Sequence, residues 1–413
     1  MSSISTGSLS ESAPPSSGFR AFARRLRRHT SSGLYIAELD GLRFVAVISV
    51  FLYHLGGDVE RHSLPGAAPV SLLFRLTNEL NIGVPLFFAI SGMILGLPFA
   101  RYRMLAGPRV SLKRYYLRRL TRLEPPYVLS LLLLFLFKLI SHRGTFEEQL
   151  PHLGASLVYL HNAIYRDMSS INPVAWSLEV EVQFYVLAPL LGTVFAIRMP
   201  WLRRSLLSAA ILIAAFVTPW PAQTEARQNA AAWMNHLSLT GNIQYFLAGF
   251  LLADFYLMKP PAAGRDRKWD LVTIAGWPLL AILLIKAPGV VYAGLPAFLL
   301  ALYAAVFYGP ASRRFFANIW FASIGGMCYS IYLLHNYLIA VLGFVTERVG
   351  QAFSFDVHFV IQAVLMAPIV LGCSILFYLA IEQPCMRSDW PQRLRKSAAD
   401  LRGRFASFVG AHT

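Results

Sequence analysis

The chain has 413 residues, of which 56% are hydrophobic and only 14% charged, and its mean hydropathy is +0.52. Soluble domains carry about 25% charge, so the composition excludes a soluble globular protein and predicts an all-α polytopic membrane bundle. The formal net charge of +16 raises nucleic acid as a partner. The three cysteines, Cys328, Cys373 and Cys385, lie in or at the end of apolar runs and read as small apolar side chains.

Residues 1–33 are Ser-rich and then basic, with Arg20, Arg24, Arg25, Arg27 and Arg28, and contain no apolar core. They read as a disordered cytoplasmic tail rather than a secretory signal. Ten apolar stretches follow, at roughly 40–57, 81–99, 117–140, 179–197, 203–220, 241–258, 270–286, 290–308, 323–345 and 358–381. Each approaches the ~17–25 residues that cross a hydrocarbon core. They define a transmembrane domain over 34–386, followed by a basic tail over 387–413. With the N-terminus placed inside, 28 of the 37 Lys and Arg fall in inside segments. This asymmetry fits a multi-pass protein of the cytoplasmic (inner) membrane with both termini cytoplasmic. Topology therefore accounts for the basic charge, and nucleic acid is set aside as a partner.

In the first span, ELDGLRFVAVISVFLYHLG, Arg43 and His54 are eleven residues apart. That spacing returns them to nearly one helix face, about 16 Å apart along the axis. Ionisable groups inside a span cost about 2.5–3.5 kcal/mol each, so two on one stripe mark a functional site. In the second span Ser91-Gly92 predicts close helix contact, and nothing resembling a nucleophile elbow surrounds the serine.

The third span begins KRYYLRRLTRLEPPY. Arg119 and Arg122, three residues apart, share a face at a helix start, which suits phosphate groups as well as plain anchoring. Pro125-Pro126 predicts a kink or break. The outside loop 141–178 includes an interfacial or re-entrant piece at 153–165 and ends in NPVAWSLEVEVQFY. There Trp176 reads as an interfacial anchor and Ser177 as a cap. Glu179 and Gln183 share a face while Glu181 points elsewhere. Capping explains one carboxylate but accounts less well for a second entering lipid, which singles out Glu179. In the ninth span, SIGGMCYSIYLLH, His335 falls near mid-membrane with Tyr332 and Cys328 on its face. Glu382-Gln383-Pro384 closes the tenth span, where Pro384 ends the helix and Glu382 reads as structural.

Together these segments resemble the membrane-bound acyltransferase 3 family, which includes O-antigen acetylases and Nod-factor and macrolide O-acyltransferases. LDGLR with His54, FFAISG, RRLTRLEPPY, WSLEVEVQFY, CYSIYLLH and IEQP match family blocks in order across about residues 36–385. Two positions depart from the pattern: Glu124 stands where an apolar or aromatic residue is commoner, and Cys328 where serine is. The resemblance implies ten core helices and transfer of an acyl group, usually acetyl from acetyl-CoA, to a sugar hydroxyl. Some relatives append an extracytoplasmic hydrolase-like domain, and this chain reads as a stand-alone version.

On that expectation Arg43, Arg119 and Arg122 hold the phosphates of the acyl-CoA donor at the inside face. His54 and Glu179 form the catalytic pair. His54 deprotonates the acceptor hydroxyl or is itself acylated, and Glu179 orients its ring. His335 and Tyr332 support them or relay protons. The acceptor, a carbohydrate, glycolipid or macrolide, enters from outside. The rival reading is a proton-coupled transporter using the same intramembrane His, Glu and Arg, although the two halves of the chain show no repeat. The sequence has no nucleotide fingerprint and no metal-ligand pair at recognisable spacing. Neither a metal nor a permanently bound cofactor is therefore expected.

Overall fold

The computed structural model describes residues 18–26, 28, 35–63, 71–218, 229–260, 266–346, 348–387, 390, 392 and 400. Among them every regular element is helical. Ten long helices carry the bundle: α1 (Ala37–His62), α2 (Gly83–Met104), α3 (Leu112–Ile140), α4 (Trp176–Leu191) and α5 (Pro200–Val217), then α6 (Ile243–Met258), α7 (Lys268–Lys286), α8 (Pro288–Tyr308), α9 (Cys328–Thr346) and α10 (Phe355–Phe377). Local chemistry sets their ends. Glu38 and Asp40 occupy the first turn of α1 and Arg61 and His62 its last, each favoured by the helix dipole. The side chain of Ser111 caps α3, and Pro200 and Pro288 open α5 and α8, where the missing N–H costs nothing.

Nine helical segments are long and apolar enough to cross a membrane among the described residues. They correspond to nine of the ten expected spans. The remaining one is α6, only 16 residues long, of which 12 residues are buried. A helix wrapped by other helices has its apolar surface covered by protein, so its length is not set by the bilayer.

Three expectations are corrected. The tail assigned as disordered over 1–33 contains a described helix, Gly18–Arg25, with Ala23 and Leu26 buried against the bundle. Its two apolar anchors outweigh a composition that otherwise looks solvated. The third helix does not break at Pro125-Pro126: α3 runs through both. The Tyr329 hydroxyl donates to the Leu123 carbonyl (3.0 Å), beside the place where the prolines cannot donate. The last helix likewise continues beyond Glu382, through a π-helical turn over Tyr378–Glu382, to Gln383–Cys385. The piece at 153–165 falls in two short helices, Phe146–Leu157 and His161–Tyr165, in the connection between α3 and α4.

The main core is built around α2 and α6. A Cβ at Gly92 would land on the Phe246 carbonyl, and one at Gly249 on the Ala89 carbonyl, so these two helices touch backbone to backbone. Phe88, Phe184 and Phe246 stack beside that contact with centroids 4.1 and 4.6 Å apart. This is the close approach expected of Ser91-Gly92, since small residues are what let helices meet inside a bilayer. A second packing group joins α1, α9 and α10 through Phe51, Leu55, Ile339, Phe359 and Met366.

Candidate active site

His54 and His335 meet between α1 and α9, with His54 Nδ1 3.1 Å from His335 Nε2 and ring centroids 4.9 Å apart. Their backbone partners assign the tautomers. His335 Nδ1 lies 3.0 Å from the Ile331 carbonyl and 2.9 Å from that of Tyr332, so it carries the proton and Nε2 is the acceptor. His54 Nδ1 lies 2.8 Å from the Val50 carbonyl, so it too is protonated and is shared between that oxygen and His335. The lone pair of His54 is thereby left on Nε2, which makes no hydrogen bond among the described residues. An imidazole held by its Nδ1–H with a free Nε2 is the arrangement a general base or nucleophile requires.

The predicted pairing of His54 with Glu179 is not what the structure brings together. Glu179, fully buried on α4, accepts the backbone N–H of Asn162 (2.9 Å). The Asn162 side chain in turn donates to the Trp176 and Leu237 carbonyls (2.9 and 3.3 Å). Glu179 Oε1 is buried without a partner among the described residues. The carboxylate thus ties α4 to the short helix His161–Tyr165, and His335 takes the position beside His54. Tyr332 is one turn from His335, but its hydroxyl bonds to Ser177 Oγ (2.7 Å) and to the Val174 carbonyl, joining α9 to the start of α4.

Toward the end of the bundle carrying Ala37, arginines collect. Arg43 pairs with Asp40, one turn back on α1. Arg119 lies over the Tyr115 and Tyr185 rings, 4.4 and 5.3 Å from their centroids. The Nε atoms of Arg119 and Arg122 are buried without hydrogen-bond partners among the described residues. Arg43 and Glu382 both act electrostatically on Arg122, which places α1, α3 and the π-helical turn around one polar space. Guanidinium donors left open in a buried setting suit a phosphate or carboxylate ligand.

Several residues escaped the sequence reading. Glu181 receives the Ser91 hydroxyl (2.5 Å) and acts on Arg43, so the carboxylate that points away from Glu179 points into the polar seam. Asp40 is the counter-ion of Arg43, and its i,i+3 spacing was a usable signal. Arg28, from the N-terminal segment, lies near Arg43 and Arg122, a position no local pattern announces. Glu382, read as structural, does fix the start of α9 by accepting the Ser330 N–H and hydroxyl (3.0 and 2.5 Å). It also faces Arg122 and Arg28.

The family model describing an acyltransferase domain, acyltransferase 3, matches residues 36–379. The chain belongs to this family. The match takes in both histidines, Glu179, Arg43 and the α3 arginines, while Arg28 lies outside it. Among curated relatives, the peptidoglycan O-acetyltransferase OatA of Listeria monocytogenes is 27% identical over 190 residues, covering 43% of this chain and 27% of that protein. The O-acetyltransferase OatA of Staphylococcus aureus is 30% identical over 169 residues, covering 38% and 25%. The nose resistant to fluoxetine protein 6 of Caenorhabditis elegans is 28% identical over 185 residues, covering 39% and 22%. The chain therefore spans about a quarter of the length of these relatives. No solved structure matches the chain.

Proposed function

We propose that the protein is a membrane-embedded O-acyltransferase that moves an acyl group, acetyl in the simplest case, from acyl-CoA to a hydroxyl of an envelope carbohydrate or glycoconjugate. Family membership and the O-acetyltransferase relatives support the reaction class. The observation that carries the mechanism is the His54–His335 pair, which holds the His54 proton on Nδ1 and leaves Nε2 as the base. The bundle lies in the cytoplasmic membrane with its arginine-rich end and both termini inside, as the positive-inside rule requires.

The donor enters at the arginine-rich end, where Arg43, Arg119 and Arg122 meet its phosphates, and its thioester extends along α1 toward His54. The acceptor hydroxyl arrives from the opposite end. His54 Nε2 takes the hydroxyl proton as the oxygen attacks the thioester carbonyl. The carbon–sulfur bond then breaks, and the departing thiolate takes the proton from Nε2. His335 keeps the ring oriented and shares the positive charge that forms on His54. Glu179 acts through structure, holding the outer loop against α4.

The test is free-CoA release by purified protein in nanodiscs given acetyl-CoA, with and without a panel of glycan acceptors. Acceptor-stimulated release that disappears in His54→Ala supports the reaction as written. A stoichiometric burst of CoA without acceptor, also lost in His54→Ala, points instead to an acyl-histidine intermediate. No release with any acceptor from folded protein overturns the enzyme reading in favour of proton-coupled transport.

A further inference from the structure

The N-terminal segment is fastened to the arginine-rich end by specific contacts. Ser323 Oγ donates to the Ala23 carbonyl (2.7 Å) and Gln383 Nε2 to that of Arg25 (2.6 Å). Leu26 is 3% exposed and packs with Val47, Met327, Ile331, Tyr378 and Met386. Two residues on, the backbone of Arg28 runs against Gly326, where an added Cβ would sit 3.5 Å from its nitrogen. Arg28 is thus held at the mouth of the polar seam.

Its surroundings are unusual for an arginine. The guanidinium acts on Arg122 and Arg43, both cations, and on Asp40 and Cys328. Its Nε is buried without a hydrogen-bond partner among the described residues, as are those of Arg119 and Arg122. The carboxylates in reach are already engaged: Asp40 with Arg43, Glu181 with Ser91, and Glu382 through one oxygen with Ser330. Among the described residues, the four arginines Arg28, Arg43, Arg119 and Arg122 outnumber the three carboxylates Asp40, Glu181 and Glu382, and three Nε donors are open. Gathering like charges in a buried space is unfavourable unless an anion completes it. A phosphate ester supplies both the charge and several acceptor oxygens.

We propose that Arg28 completes a phosphate-ester site with Arg43, Arg119 and Arg122, so that the N-terminal segment, outside the family-matched region, takes part in binding the acyl donor. This rests on the acyl-CoA reading above. Because Arg28 touches only the donor's phosphates, its loss weakens binding without altering the chemical step.

The test uses the full chain in nanodiscs of phosphatidylcholine, alone or mixed with phosphatidylglycerol, with CoA binding and acetyl-CoA kinetics measured together. Arg28→Ala is expected to weaken CoA binding about tenfold and raise KM equally with kcat unchanged, the effect of losing one charge-assisted contact. Arg28→Lys recovers part of the loss and Gln383→Ala, which frees the Arg25 carbonyl, causes a smaller one. CoA affinity unchanged in Arg28→Ala but reduced in Arg119→Ala overturns the role of Arg28 and leaves the donor reading standing. No CoA binding by the unsubstituted protein in either lipid overturns both. If Arg28→Ala instead lowers thermal stability only in phosphatidylglycerol, with CoA affinity unchanged, the phosphate at Arg28 belongs to a lipid headgroup and the role of Arg28 in donor binding is overturned.

Discussion

Two seams of the bundle are built on opposite terms. Between α2 and α6 the helices touch through Gly92 and Gly249, and stacked phenylalanines fill the flanks. Between α1 and α9 the interface carries His54 and His335, and α1 continues to Arg43 at one end and Asp58 at the other. Asp58 is 2% exposed, accepts from Arg61 (2.9 Å) and closes against Gly343. Small residues give tight packing where lipid offers no hydrophobic drive for association. Ionisable groups at the same depth cost about 2.5–3.5 kcal/mol each. Elsewhere the buried Asp254 on α6 is paired with Arg203 and Arg204. The two imidazoles of the α1–α9 seam instead meet each other and backbone carbonyls, which is why this seam is the one proposed for the chemistry.

The first way to break the comparison is to attack the packed seam. Gly92→Leu drives a side chain into the Phe246 backbone, which cannot yield as a rotamer would. A destabilisation of about 3 kcal/mol or more is expected, seen as loss of a monodisperse, cooperatively melting protein. A normal melt in this variant would show that the seam is looser than described. In the polar seam the expectation reverses: His54→Ala keeps the melt and loses about 10²–10⁴-fold in acyl transfer, measured as CoA release. Unaltered transfer would remove His54 from the chemistry.

His335→Gln sharpens the division within the polar seam. Removing the partner that orients a functional imidazole costs about 10–100-fold, and here the loss is expected in kcat with the KM for acetyl-CoA preserved. A change confined to KM would place His335 in binding instead. Arg119→Ala and Arg122→Ala give the complementary pattern, each raising KM about tenfold while kcat holds, with the effect shrinking at high salt. The smallest change lies outside both seams. Thr145 closes a capping box with Glu148 at the start of the helix Phe146–Leu157. Thr145→Ala is expected to cost about 1 kcal/mol, read as faster amide exchange in that helix with kcat unchanged.

The sequence by itself determined the class of the molecule and most of its spans. Apolar length is imposed by the bilayer and depends on no partner, and a charged residue inside such a run stands out without a fold. Arg43, His54 and His335 were legible for that reason, and the order of motif blocks made the family legible. Tertiary structure alone decided who meets whom. His54 and His335 are 281 positions apart, and nothing local distinguishes His335 from Glu179 as the partner of His54. It also decided that α6 sits inside protein, that a basic tail folds back through two apolar anchors, and that Glu181 rather than Glu179 turns toward Arg43. Each of these depends on helix rotation and packing order, which the long-range fit of side chains sets and no stretch of sequence encodes on its own.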